Sequence, residues 1–319
     1  MENMQPKPTK GINAALASAL FLGLAPVFGK LAITLGLPPL AVVAIRTVMA
    51  SFLVFIVVLI YKRAFIYIYP AGLLGCFLAG GINGLGSLFY YAALGKIDAS
   101  LGQIIYSLYP MFVAIWLWLD HQPPSRLTII RLVMVFPALY LLVGFQEINL
   151  VGVGMMLIAS ALYALHLPIN QRVLYDMPAP TVTLYTLLAM SAVVVPAFII
   201  SFINKPFPPP NDQSWGALLA LTLITFSSRL TLFLGVKHLG GQQTALLGLS
   251  ELMVTIIFSH LWLQEHMSLN QWLGLLLLAL SLVLVRLDKS NPRKSTRSSW
   301  LNWINPSAVP SEIPWQPHD

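Results

Sequence analysis

Ten apolar runs of roughly 20 residues follow one another from residue 11 to residue 287, and this feature removes most of the folds open to a chain of 319 residues. They cover about 11–35, 39–61, 69–94, 99–119, 126–145, 151–173, 179–203, 213–237, 241–263 and 269–287. Each is long enough to cross about 30 Å of hydrocarbon as a helix. In hydrocarbon every backbone N–H and C=O must find a partner inside the chain, which leaves only helices and closed barrels. The runs lack the alternation of apolar and polar residues that a barrel strand requires. The chain is 57% hydrophobic and 9% charged, against about a quarter charged in soluble domains. The expected fold class is therefore an all-α integral membrane protein with ten transmembrane helices and short connectors.

A net charge of +7 would suit nucleic acid, but the placement of the basic residues argues against it. With ten spans and both termini inside, Lys30, Arg46, Lys96, Lys205 and Arg229 lie away from the cytoplasmic side, and the other 13 of the 18 Lys and Arg lie at or near it. That bias sets a multi-pass orientation in a cytoplasmic (inner) membrane with both termini cytoplasmic. The first run has a basic flank, Lys7 and Lys10, but it is too long for a signal peptide and is expected to be retained. Residues 1–10 form a cytoplasmic N-terminal segment. The basic, Ser- and Pro-rich tail 288–319 is expected to be cytoplasmic and disordered or lipid-contacting. Cys76 is the one cysteine, so neither an internal disulfide nor a cysteine metal cluster can form. With Gly72, Gly80 and Gly84 it makes a small-residue stripe that lets another helix come close.

The chain also repeats itself. Residues 18–30, SALFLGLAPVFGK, align with residues 160–172, SALYALHLPINQR, at an offset of 142. The offset persists where Pro38 meets Pro180, Leu119 meets Leu261 and Val143 meets Val285. It divides the chain into repeats 11–148 and 149–287 with five spans each. An odd number of spans makes the second copy enter the membrane from the opposite side, so the repeats are inverted around a central cavity. Inverted repeats are characteristic of carriers that expose a midplane site to each side in turn. Pro26 and Pro168 each delete a helix hydrogen bond at matched positions and are candidate gating kinks.

These elements resemble a known family. The segment ALxxGxxPVxxK at residues 19–30, the early arginine of AIRTVMASFL (Arg46) and the ninth run, LLGLSELMVTIIFSHLWLQEH, look like the EamA family of the drug/metabolite transporter superfamily. The family pattern in the ninth run places Glu251 and Glu265 on its two glutamates. Leu252 stands where a proline is usual and Gln264 where a glycine is usual. In the first half Pro110 keeps the proline, while Tyr109 occupies the glutamate position. The resemblance covers residues 11–287 and implies a ten-helix fold, a central cavity and metabolite transport, commonly export.

A charge near the bilayer centre costs about 2.5–3.5 kcal/mol on insertion scales, so each needs a partner or a task. Of the acidic residues only Glu251 sits mid-span, about 15 Å from the inner end of its run, with Arg229 about 12 Å deep in the preceding run. Three readings stay open: a structural ion pair, Glu251 as a proton-coupling site, or Arg229 as a binder of a substrate carboxylate or phosphate. Thr244, Gly248, Glu251, Thr255 and Ser259 form one polar or small stripe, and Thr222, Thr225 and Arg229 another. At the matched positions stand Asn83 for Thr225, Ser87 for Arg229 and Tyr109 for Glu251. Arg46, about 10 Å from the outer face, is a candidate substrate or gating residue, whereas Lys30 is expected to snorkel. Tyr90, Tyr106 and Tyr109 are candidates to stack on a substrate, and His166 to face the cavity.

No nucleophile with a base, carboxylate pair, HExxH spacing or phosphate-cradling loop is present in the sequence, so neither an enzyme nor ATP-driven transport is expected, and no cofactor or metal. The expectation is a secondary transporter for small amphipathic metabolites such as amino acids, with the lipid bilayer, the substrate and a coupling proton as its partners. Sugars, nucleotide sugars or drugs in the same fold are the alternative. A channel is a weaker rival, since no filter-like segment or ring of like charge appears.

Overall fold

The computed structural model describes residues 8–120, 124–143, 149–203, 212–264 and 269–283. Glu265 and the tail 288–319 lie outside the described residues. Every regular element within them is helical: α1 Pro8–Thr34, α2 Pro39–Tyr61, α3 Pro70–Leu94, α4 Ala99–Tyr106, α5 Tyr109–Leu119, α6 Arg126–Val143, α7 Leu150–Asp176, α8 Ala179–Phe202, α9 Asp212–Leu239, α10 Gly241–Gly248, α11 Ser250–Trp262 and α12 Leu269–Val283, with a short 3₁₀ turn at Arg63–Ile66. Eight spans among the described residues are long and apolar enough to cross a membrane. The fifth and tenth expected runs are α6 and α12, of which 18 and 15 residues are described. Phe52, Ile60 and Ile200 point outward on α2 and α8, as a hydrocarbon solvent requires and water would penalise. The architecture is that of an integral membrane protein.

The starts and stops of the helices follow from the sequence. Pro39 and Pro70 occupy first-turn positions, where the missing N–H has no helical partner to lose. Asn149 caps α7 by accepting the Gly152 N–H at 3.0 Å. Gly36 and Gly240 take the positive φ of the turns after α1 and α9. Lys30 does not snorkel: its Nζ donates to the carbonyls of Leu94 and Ile97, both at 2.9 Å. The end of α3 leaves carbonyls without helical donors, and a cation there meets both those groups and the helix dipole.

α1 packs along α9 and α11, α3 against α7 and α8, and α2 against α8 and α9. The small-residue stripe of α3 faces α8, where a Cβ on Gly80 would come within 2.5 Å of both the Ala189 Cβ and the Thr186 carbonyl. The fourth and ninth expected runs differ from continuous helices. Each breaks near its middle, at Ser107–Leu108 and at Leu249, and Ser107 and Leu249 are 142 residues apart in the sequence (249 − 107). Both breaks tighten to i→i−3 bonds: Leu108 N–H to Ile105 and Met111 N–H to Leu108, Leu249 N–H to Leu246 and Leu252 N–H to Leu249. At the first break Pro110 has no N–H for the Tyr106 carbonyl, which accepts the Ser160 hydroxyl at 2.9 Å instead.

Candidate functional site

α1, α2, α3, α4, α7, α9 and α11 converge on one buried polar cavity of about 50 Å³. On the measure by which one water takes about 10–15 Å³, it holds a few waters, so a metabolite would need the helices to part. Its wall carries three buried charged side chains: Arg46 from α2, Arg229 from α9 and Glu251 from α11.

Each guanidinium is partly satisfied. Arg46 Nη1 donates to Thr225 Oγ1 at 3.0 Å, and its plane lies 4.7 Å from the centre of the Tyr91 ring. Arg229 lies 5.9 Å from the Tyr163 ring centre. With the Asn83 amide oxygen turned toward it, Arg229 donates from Nη1 at 3.0 Å and Nη2 at 3.2 Å. These contacts hold the cations against π faces and neutral acceptors. They leave the Nε of both arginines without an acceptor. Glu251 is 2% exposed, and its Oε1 has no donor. Tyr109 and Gln103 border the carboxylate. Among the described residues the buried ion pair is Arg172 with Asp120; Arg229 and Glu251 share the cavity without forming one.

Tyrosines surround the charges. Tyr106 sits 4.9 Å from Tyr90, 5.7 Å from Tyr109 and 5.2 Å from Tyr163, centre to centre, and Tyr90 donates to Gln103 Oε1 at 3.3 Å. The rings offer apolar faces with hydroxyl edges, a surface suited to an amphipathic ligand.

Of the residues singled out from sequence, Arg46, Asn83, Ser87, Tyr90, Tyr106, Arg229 and Glu251 line the cavity. Thr225 acts through Arg46, while Tyr109 donates to the Ala245 carbonyl at 3.0 Å beside Glu251. Thr255 turns away from the cavity to donate to the Gly23 carbonyl at 2.6 Å, tying α11 to α1. Thr244 is buried off the cavity wall, its Oγ1 unpartnered. His166 is fully buried behind Tyr163, with Nδ1 on the Tyr163 carbonyl. A carbonyl only accepts, so Nδ1 carries the hydrogen and Nε2 is an acceptor without a donor. Pro26 and Pro168 stand inside α1 and α7.

Three polar lining residues were not anticipated: Tyr91, Gln103 and Tyr163. Gln103 had a readable signal, as a lone amide in the apolar stretch LGQIIY, and Tyr163 stands in the repeated segment itself. Nothing in the sequence distinguishes Tyr91 from Tyr90. Arg172, one of the 13 basic residues expected at or near the cytoplasmic side, is 5% exposed and paired with Asp120, because α5 and α7 pack together where both side chains lie.

A family model described as the EamA-like transporter family matches twice, at residues 9–144 and 150–287. An uncharacterized transporter of Bacillus subtilis (strain 168), YcbK, is 24% identical over 297 residues, covering 85% of this chain and 93% of the relative. An uncharacterized transporter of Synechocystis is 23% identical over 222 residues, 65% of each chain. A solved crystal structure superposes with TM-score 0.69 at 15% identity, covering 88% of this chain and 98% of its own, a likeness of fold.

Proposed function

This chain belongs to the EamA-like transporter family, and from that premise we propose that it is a secondary carrier of small amphipathic metabolites, amino acids foremost, exporting them across the cytoplasmic membrane by alternating access. That it is a membrane transporter rests on the family and on relatives named as transporters. The finer reading rests on one observation: two buried guanidiniums with unpartnered Nε atoms and a buried carboxylate with an unpartnered Oε1 face a cavity ringed by tyrosines.

A buried charge without a partner is costly, and a ligand that supplies the partner recovers that cost on binding. A zwitterion does so for both signs: its carboxylate meets Arg46 and Arg229, and its ammonium meets Glu251. Its apolar part lies against the tyrosine faces. Two cations beside one carboxylate disfavour a dedicated carrier of cationic drugs.

In this proposal the chain forms ten spans in two inverted repeats, 11–148 and 149–287, with both termini cytoplasmic, an arrangement suited to alternating access. Two observations support the duplication: the same family model matches each half, and the helix breaks at Ser107 and Leu249 keep the 142-residue offset. Pro26 and Pro168 would serve as the matched gating points.

The test is counterflow in proteoliposomes loaded with single amino acids, sugars, nucleotides or cationic drugs, with and without a pH gradient. Saturable exchange confined to zwitterions supports the proposal. Exchange of sugars or drugs alone refutes the substrate class, and conductance without exchange refutes the carrier.

A further inference from the structure

Below the cavity, toward the end where α7 finishes, buried polar atoms without protein partners follow one another along a single helix face. Tyr163, His166 and Asn170 are spaced i, i+3 and i+7, so they stack on one side of α7 over about 10 Å. They are 3%, 0% and 0% exposed. The Tyr163 hydroxyl, His166 Nε2 and Asn170 Nδ2 each lack a hydrogen-bond partner. Two helices that pack against this part of α7 carry more such atoms, Trp116 Nε1 on α5 and Gln242 Oε1 and Thr244 Oγ1 on α10. Buried polar groups in folded proteins are almost always satisfied, by protein or by ordered water, so a run of them marks a hydrated path.

The repeat shows that packing alone does not demand this polarity. At the offset of 142, Tyr163, His166 and Asn170 fall on Phe21, Leu24 and Phe28. Asp120, which pairs with Arg172 two residues past Asn170, falls on Trp262. Phe28 and Trp262 meet edge to face at 5.4 Å. The same structural position is closed by an aromatic pair at one end of the molecule and lined by polar groups at the other.

We infer that the Tyr163–His166–Asn170 face of α7 is a water-filled conduit that connects the cavity to the cytoplasmic side and gives protons from that side access to Glu251. The sidedness rests on the orientation proposed above. Tyr163 lines the cavity wall, so the polar face of α7 starts at the cavity. The neutral His166, hydrogen on Nδ1, presents Nε2 as an acceptor for a water hydrogen. The charged and titratable groups beside this face are Arg229 from α9, Tyr106 from α4, Tyr109 from α5 and Cys76 from α3, behind the Thr186 that bonds Asn170, with the Arg172–Asp120 pair past the end of the face. Around Glu251 stand Arg229, Tyr90, Tyr106, Tyr109 and Tyr163. A proton entering by the conduit is taken up by the Glu251 carboxylate and leaves by the same water chain or with the alternate state.

Hydroxyl-radical labelling by X-ray pulse, read by mass spectrometry on the full chain in nanodiscs, reports water beside each side chain. The expectation is that His166 labels several-fold faster than Phe233, an equally buried core ring. In Asn170→Phe, which places the matched residue in the path, His166 labelling falls toward the Phe233 rate. Wild-type His166 as slow as Phe233 overturns the conduit, and this arm needs no variant to fold. Unchanged His166 labelling in a folded Asn170→Phe overturns the path through Asn170. Counterflow is scored separately: labelled His166 without exchange of any substrate leaves the conduit standing and refutes the carrier, and exchange with dry His166 does the reverse.

Discussion

Gly23→Ala probes the contact that positions Glu251. The Gly23 Cα faces α11 so closely that an added Cβ would lie 2.5 Å from the Glu251 carbonyl oxygen and 2.6 Å from the Val254 Cβ. Ordinary contact begins at 3.4 Å, so α1 and α11 must part by about 3.4 − 2.5 = 0.9 Å, backbone against backbone. The Thr255 hydroxyl bond to the Gly23 carbonyl, now 2.6 Å, would stretch to about 3.5 Å, outside hydrogen-bonding range. Overpacking of this kind costs about 1–3 kcal/mol, and a lost hydrogen bond between membrane helices adds about 0.6 kcal/mol. At about 2–4 °C per kcal/mol in a large domain, the melting midpoint in detergent, followed by fluorescence size exclusion, falls by several degrees. Gly81→Ala is the control: nothing lies within 4 Å of its added Cβ, and replacing a mid-helix glycine gains about 0.5–1 kcal/mol. A Gly23→Ala midpoint equal to that of Gly81→Ala would show that the α1–α11 contact yields without strain and refute the reasoning.

Glu251→Gln keeps the size and removes the charge; counterflow of zwitterions is expected to weaken by about 2–5 kcal/mol of binding, as when one partner of a buried charge contact is removed, and the pH dependence of exchange to flatten. Exchange with unaltered affinity and pH profile would remove Glu251 from the site. Asp120→Asn removes the charge that Asp120 sets against the buried Arg172, expected to cost up to about 3–5 kcal/mol, and Asp120→Leu with Arg172→Met is expected to recover most of it; midpoints of the single and double variants check this. Tyr109→Phe strands the buried Ala245 carbonyl, a cost of about 1–3 kcal/mol, visible as a lower midpoint.

Much of the fold is legible in the chain because hydrocarbon is an unforgiving solvent. It admits few backbones, so a run such as 179–203 can be little other than a helix, and α8 spans Ala179–Phe202. Arg46, Arg229 and Glu251 are legible for the same reason, since a charge inside an apolar run is expensive and must face an interior. What sequence leaves open is rotation about each helix and the approach of distant segments. Tyr90 and Tyr91 are neighbours in sequence and both reach the cavity wall, which only the packing of α3 against α7 and α8 decides. Arg172 and Asp120 lie 52 residues apart, and no local pattern links them. The helix break before Pro110 arises where the Tyr106 carbonyl loses its backbone donor. The sequence by itself determined an all-helical membrane protein and which charges had to be sheltered. The tertiary structure decided which partners shelter them, because the meeting of side chains depends on how helices rotate and cross, and a one-dimensional apolar pattern carries little of that information.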